Sequence, residues 1–167
     1  MNAPVVIMGV AGCGKSSFAA ALSQALEWPL IEGDEFHPPE NVNKMRAGIA
    51  LTDDDRAGWL DVLANELVQR GPRAVLTCSA LKKSYRDRLR QSVQGLLFVH
   101  LDLTREQSIA RVTQRPGHYF QPALVDSQFV ALEKPVNEAG VLTVDATQSI
   151  ETIQAQVSAW LQAKECA

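Results

Sequence analysis

Gly9, Gly14, Lys15 and Ser16 fall in the spacing GxxxxGK[ST] within GVAGCGKSS, residues 9–17, a Walker A pattern whose chemistry is phosphate binding. Glycine lets the backbone take positive φ and come close to phosphate oxygens, so successive N–H groups turn inward as an anion nest. A helix opening near Lys15 adds its positive dipole end. Lys15 is placed to neutralise the β- and γ-phosphates, and Ser16 to ligate Mg²⁺. Ala11, Gly12, Cys13 and Ser17 complete the cradle. The loop by itself says only that a nucleotide phosphate binds; other residues decide where that phosphate goes.

EGDEFHPPENVNKM, residues 32–45, is the second cluster with chemistry in it. Asp34 can accept the proton of an attacking hydroxyl or hold water on Mg²⁺, so it is a candidate for both the catalytic and the metal set. His37, beside two prolines, reads as a substrate contact or as a plain loop histidine. Lys44, Arg46 and Arg56 are solvated charges when taken singly, but with Arg86 they supply enough positive charge for an anionic substrate. Arg111 and Arg115 sit at the end of one helix, where it runs into the Pro/Gly-rich QRPGHYFQPAL, residues 114–124. Such a segment can act as a lid, at about residues 115–126, that excludes water and brings arginines to the transferring phosphoryl group. The third strand ends Thr77-Cys78-Ser79 without an acid, whereas LLFVHLD ends on Asp102, a rival to Asp34 for Mg²⁺.

These groups need a scaffold, and the chain alternates short apolar runs with helical patterns, as α/β proteins with a parallel sheet do. Strands are expected at Pro4–Met8, Leu30–Glu32, Ala74–Cys78, Leu96–Leu101 and Val141–Val144. Phe18, Leu22, Ala25 and Leu26 recur at helical spacing over Lys15–Leu26. Thr52 with Asp55, and Thr104 with Gln107, form capping boxes that open two more helices. Tyr85–Arg90 reads as a short charged helix, QRPGHYFQPAL as a loop, and Ile150, Ile153, Val157 and Trp160 as one face of a final helix. His100, inside a strand, reads as a satisfied core residue. The expected fold is a single three-layer α/β/α domain, 1–167, with a five-stranded parallel sheet and a substrate-binding segment at about 34–60. In such sheets ligands bind beyond the carboxyl ends of the strands, which puts Asp34 opposite the phosphate loop.

Composition narrows the class further. The chain is 46% hydrophobic and 21% charged with a formal net charge of −3, which argues against a nucleic-acid partner. No apolar run approaches the roughly 20 residues that span a membrane. The N-terminus lacks a basic stretch and runs straight into the glycine loop, so no signal peptide is expected. Three cysteines without CxxC spacing suit free thiols in a reducing cytoplasm and offer no zinc site. No NKxD-type guanine reader is present, and the chain is short for a motor ATPase. A compact P-loop kinase for a small molecule is the reading left, with a non-catalytic nucleotide-binding module as its rival from another class.

GVAGCGKSS, EGDEFHPPENVNKM, LTDDDRAGWL, CSALKKSYRDRLR and RPGHYFQPALVDSQFVALEKP occur in that order, and together they resemble the gluconokinase family of P-loop carbohydrate kinases. The resemblance runs nearly to Pro135. It implies phosphorylation of D-gluconate on its 6-hydroxyl with ATP and Mg²⁺, a P-loop nucleoside triphosphate hydrolase fold similar to shikimate and nucleoside-monophosphate kinases, and a homodimer. It also implies that Asp34 meets the 6-hydroxyl and that His37, Lys44, Ser79, His118 and Gln128 line the pocket. Arg56 and Arg86 suit the carboxylate end, since guanidinium pairs bidentately with carboxylates. Arg111 is placed near adenine or phosphate and Arg115 on the lid. A kinase of the same shape for shikimate or another sugar acid is the nearest rival. Relatives commonly carry serine where Cys13 stands. That cysteine is either a neutral replacement or, beside Lys15 and a helix N-terminus, an oxidisable thiol.

Overall fold

The structure, a computed structural model, describes residues 2–114 and 122–166. Five parallel strands, β1 (Val5–Met8), β2 (Leu30–Glu32), β3 (Val75–Thr77), β4 (Leu97–Asp102) and β5 (Val141–Asp145), make one sheet in the order β2-β3-β1-β4-β5. All four residues of β1 are fully buried, as expected of a central strand covered on both faces. Val5 pairs with Val75 on one side and Leu97 on the other. From β1 the chain passes to the edge position β2, returns to fill β3 beside β1, then crosses to the other side for β4 and β5. That reversal opens a crevice beyond the carboxyl end of β1, where the glycine loop begins.

Helix α1 (Lys15–Leu26) follows the loop and buries Phe18, Ala19 and Leu22. A short 3₁₀ turn, Gly33–Phe36, and helix α2 (Pro39–Arg46) follow β2. The next helices are α3 (Asp53–Arg70), α4 (Lys83–Ser92), α5 (Arg105–Thr113), α6 (Pro122–Ala131) and α7 (Ile150–Glu165). Helix α1 packs with α7, and α3 with α4, against the sheet in a three-layer α/β/α arrangement. Both capping boxes are present: Thr52 with Asp55 opens α3, and Thr104 with Gln107 opens α5.

Two helices were not evident in the pattern. Helix α2 starts on Pro39, whose missing N–H costs nothing in a first turn, and only Asn41 and Met45 are buried along it. Helix α6 starts at Pro122, inside the stretch read as a loop. It buries Leu124 and Val125 while leaving Val130 exposed, so its apolar residues mark no clean stripe.

His100 departs from expectation as well. It lies in β4 opposite Met8 and Thr143 and is buried, yet its Nδ1 has no hydrogen-bond partner among the described residues. Burial pushes its imidazole down to about 4, opposed by Asp102 and reinforced by Lys134 and Arg86. Its ordinary value is 6.5, so between pH 6.5 and about 4 the unfolded chain holds a proton that the folded chain does not. The stability conferred by the neutral ring is complete above pH 6.5 and is lost as pH falls towards about 4. Urea unfolding across this window should show His100→Leu with a pH slope shallower by about one proton. Equal slopes in the two proteins would exclude His100 as the titrating group.

Candidate active site

The phosphate loop owes its shape to two glycines. Gly14 has φ 93° and ends the loop in left-handed geometry directly before Lys15, the first residue of α1. At Gly9, φ 148°, an added Cβ would stand 2.8 Å from Cys13 Sγ and 2.9 Å from the Leu101 carbonyl oxygen. The Lys15 ammonium crosses the loop and donates to the carbonyls of Gly9 and Val10 at 2.9 and 3.1 Å. Ala11 N–H donates to Gln128 Oε1 at 2.7 Å, tying the loop to α6. Arg111 donates to the carbonyls of Gly12 and Ala146 at 3.1 and 3.0 Å, so one guanidinium spans the loop and the turn after β5. A hollow between these two segments is lined by Gly12, Cys13, Gly14, Ser17, Arg111 and Ala146.

The main cleft lies on the other side of the loop. Its walls combine Ala11, Gly12, Gly14, Lys15 and Ser16 with Asp34, His37 and Arg56, and it is completed by Ser79 and Gln128. Phosphate-binding and acceptor-binding candidates thus share one cavity. Ser16 Oγ donates to Glu32 Oε2 at 3.1 Å, and Thr77 Oγ1 donates to the same oxygen at 2.8 Å. Glu32 was overlooked in the sequence. It is the last residue of β2, and the rule that sites gather at strand carboxyl ends was the available signal.

On the acceptor side, Asp34 presents a carboxylate whose side chain is 71% exposed, whereas that of His37 is only 4% exposed. The His37 ring stacks on Trp59 with centroids 4.0 Å apart and planes 15° from parallel. Trp59 is itself pinned by its indole N–H to the Gly33 carbonyl at 2.8 Å. Burial pushes His37 down to about 4; the Asp34 carboxylate opposes this and Arg56 adds to it. Arg56 is buried, lines the cleft and donates to Tyr85 Oη at 3.0 Å. Tyr85 in turn donates to Asp53, which also pairs with Lys82.

Other candidates lie elsewhere. Lys44 pairs with Asp55 at 2.7 Å, which bolts α2 to the start of α3 and holds the Asp55 carboxyl down at about 2. Asp102 pairs with Lys134 and does not line the cleft. Arg115 and His118 lie outside the described residues, as does most of the expected lid. Cys13 is buried beneath the loop with its Sγ 3.9 Å from Lys15 Nζ, so it is not the exposed thiol that ready alkylation requires.

The AAA domain family matches residues 5–135. The gluconokinase of Gluconobacter oxydans (strain 621H) is 40% identical over 164 residues, covering 96% of this chain and 92% of the relative. The chain belongs to the gluconokinase family. Another gluconokinase relative, the thermoresistant enzyme of Escherichia coli (strain K12), is 39% identical over 154 residues, covering 90% of this chain and 88% of its own length. A gluconokinase crystal structure from Sinorhizobium meliloti 1021 shares the fold with a TM-score of 0.89 at 43% identity, covering 97% of this chain and 93% of that one. Shikimate kinase from Acinetobacter baumannii, at 15% identity and a TM-score of 0.67, shares the fold alone.

One expected substrate residue of this gluconokinase-family chain needs correcting. Arg86 is 1% exposed and does not line the cleft. Its Nε and Nη2 pair with Glu138 at 2.9 and 3.0 Å, and its remaining donors reach the carbonyls of Ala80, Leu81 and Glu133. It is a buried brace between α4 and the segment before β5. Arg86→Met should therefore lower unfolding stability by about 1.5–3 kcal/mol, because Glu138 loses its buried two-point partner and keeps only Arg90. Denaturant titration reads that loss. Steady-state kinetics on the folded variant should show little change in the acceptor Michaelis constant, whereas a large rise with stability intact would return Arg86 to the cleft.

Proposed function

We propose that this chain transfers the γ-phosphoryl group of ATP to the 6-hydroxyl of D-gluconate, giving 6-phospho-D-gluconate and ADP. The observation that carries this reading is identity to proteins named gluconokinase or probable gluconokinase, from 34% in Dictyostelium discoideum to 42% in Schizosaccharomyces pombe. The single cleft joining the phosphate loop to Asp34 and Arg56 supports it.

In this reading the loop's N–H groups hold the triphosphate, and Lys15 exchanges the carbonyls of Gly9 and Val10 for phosphate oxygens. Asp34 accepts the proton of the 6-hydroxyl as its oxygen bonds to the γ-phosphorus, while the bond from phosphorus to the β,γ-bridging oxygen breaks. The transition state is loose, so alignment of that hydroxyl matters more than base strength. Arg56 takes the carboxylate end, with Ser79, His37 and Gln128 along the polyol. Arg111 borders the base and Arg115 and His118 act from the lid; these roles rest on the family resemblance. Ser16, whose Oγ bonds Glu32, and Asp34, which lines the same cleft, would offer only oxygen donors to an ion. Such a set suits Mg²⁺, which is usually held by one or two carboxylates and the phosphates themselves. The bound ion supplies charge neutralisation on the triphosphate. A homodimer, by resemblance, and a cytoplasmic location, from the unpaired cysteines, complete the reading.

Coupled ADP release with ATP, Mg²⁺ and a panel of acceptors tests it. Gluconate should be the preferred acceptor; preference for shikimate or another sugar acid, or ATP binding with no acceptor-stimulated turnover, would overturn it. Asp34→Ala should lower kcat by about 10²–10⁴-fold, the usual contribution of a positioned acid or base, with Asp102→Ala close to wild type. The reverse ranking would transfer the role to Asp102.

A further inference from the structure

Asn41 is a buried polar residue on α2, 2% exposed, that no role so far explains. Its Nδ2 donates to the Asp55 carbonyl oxygen at 2.9 Å. A peptide carbonyl only accepts, so the amide orientation is fixed: the NH₂ group faces Asp55. The same nitrogen lies 3.2 Å from His37 Nδ1. An amide NH₂ has two hydrogens and no lone pair to offer, so Nδ1 must be the accepting nitrogen and the ring proton sits on Nε2. Trp59, stacked on the ring, fixes its plane.

The consequence falls on the opposite edge of the ring. Nε2 lies 4.0 Å from Asp34 Oδ1, too far for a direct hydrogen bond. An oxygen about 2.8 Å from each would fit between them. A hydroxyl satisfies both sides, accepting from Nε2–H while donating to the carboxylate, as a water does until an acceptor displaces it.

We infer that Asn41 is a positioning residue that fixes His37 as the Nε2–H tautomer, so that His37 and Asp34 together grip one hydroxyl of the acceptor. The inference deepens the kinase reading above and rests on it for the identity of the acceptor. It also assigns His37 a donor's role and excludes it as the general base. Aspartate at position 41 would repel the Asp55 carbonyl and demand a proton on Nδ1. That would leave a lone pair on Nε2 facing the Asp34 carboxylate, with no donor for the hydroxyl.

Two measurements test this, the first separately from the activity. Nitrogen-15 spectra of the ligand-free protein, with the His37 signals identified by their loss in His37→Gln, should show a protonated Nε2 and a bare Nδ1. Asn41→Asp should move the proton to Nδ1 or put protons on both nitrogens. In kinetics, Asn41→Ala should lower kcat/KM for the acceptor about 10-fold, as losing an oriented hydrogen bond does, with the ATP Michaelis constant little changed. In a His37→Gln background, where the side-chain amide donates without a tautomer to fix, Asn41→Ala should cost nothing further. A wild-type ring protonated on Nδ1, or an Asn41→Ala loss of equal size in both backgrounds, would overturn the inference. Failure of the wild type to phosphorylate gluconate would instead overturn the activity, and the ligand-free spectrum would still decide the tautomer.

Discussion

Thr77, the last residue of β3, joins the two halves of the cleft. Its hydroxyl donates to Glu32 and accepts from the Gly33 N–H at 3.1 Å, while Glu32 accepts from Ser16 on the phosphate side. A Cβ on Gly33 would lie 2.1 Å from the Thr77 carbonyl oxygen, so β2 can turn toward the cleft only because that residue is glycine. In phosphoryl transfer the protein's main contribution is placement of donor and acceptor. Here that placement is set by one short chain of hydrogen bonds across two adjacent strands. The turn carrying Asp34 and the helix carrying Ser16 cannot drift apart without breaking it.

The positive charge of the chain is distributed less generously than its sequence suggests. Arg86 and Arg90 both neutralise Glu138, Lys44 neutralises Asp55, and Arg88 pairs with Asp61 on the surface. Arg56 is the cleft-lining arginine among the described residues. It is buried and oriented by Tyr85 rather than by a carboxylate, which leaves its charge unneutralised by direct contact. In a cavity screened from water such a charge acts more strongly on an anion than a solvated one does. Among the described residues, Arg56 and Lys15 are the cations that line the cleft, whereas Arg86, Arg90 and Lys44 hold elements together.

Much of this architecture was legible because buried parallel strands read as continuous apolar runs. Val5–Met8 and Leu97–Asp102 stand out without any alternation. The loop and α1 were equally plain, since their spacing follows from phosphate geometry. Helices α2 and α6 were hidden for a physical reason: each is short, starts on proline and buries only two side chains. Arg86 misled because an arginine in a charge-rich helix looks available. Its partner Glu138 stands 52 residues away, and nothing local announces such a contact. Glu32 was masked by the louder Asp34 two positions on, and Asn41 by the tendency to read a polar residue near prolines as loop chemistry.

The stacking of His37 on Trp59 has a consequence for observing the protein. Of the three tryptophans, Trp59 lines the cleft, whereas Trp28 borders a groove shared with Leu161 and Lys164, and Trp160 lies on α7. The indole at the site is buried and in van der Waals contact with an imidazole that an acceptor would touch. Any ligand that shifts the ring shifts the environment of that one fluorophore. The acceptor pocket thus contains its own optical reporter, sensitive to occupancy before any phosphate has moved.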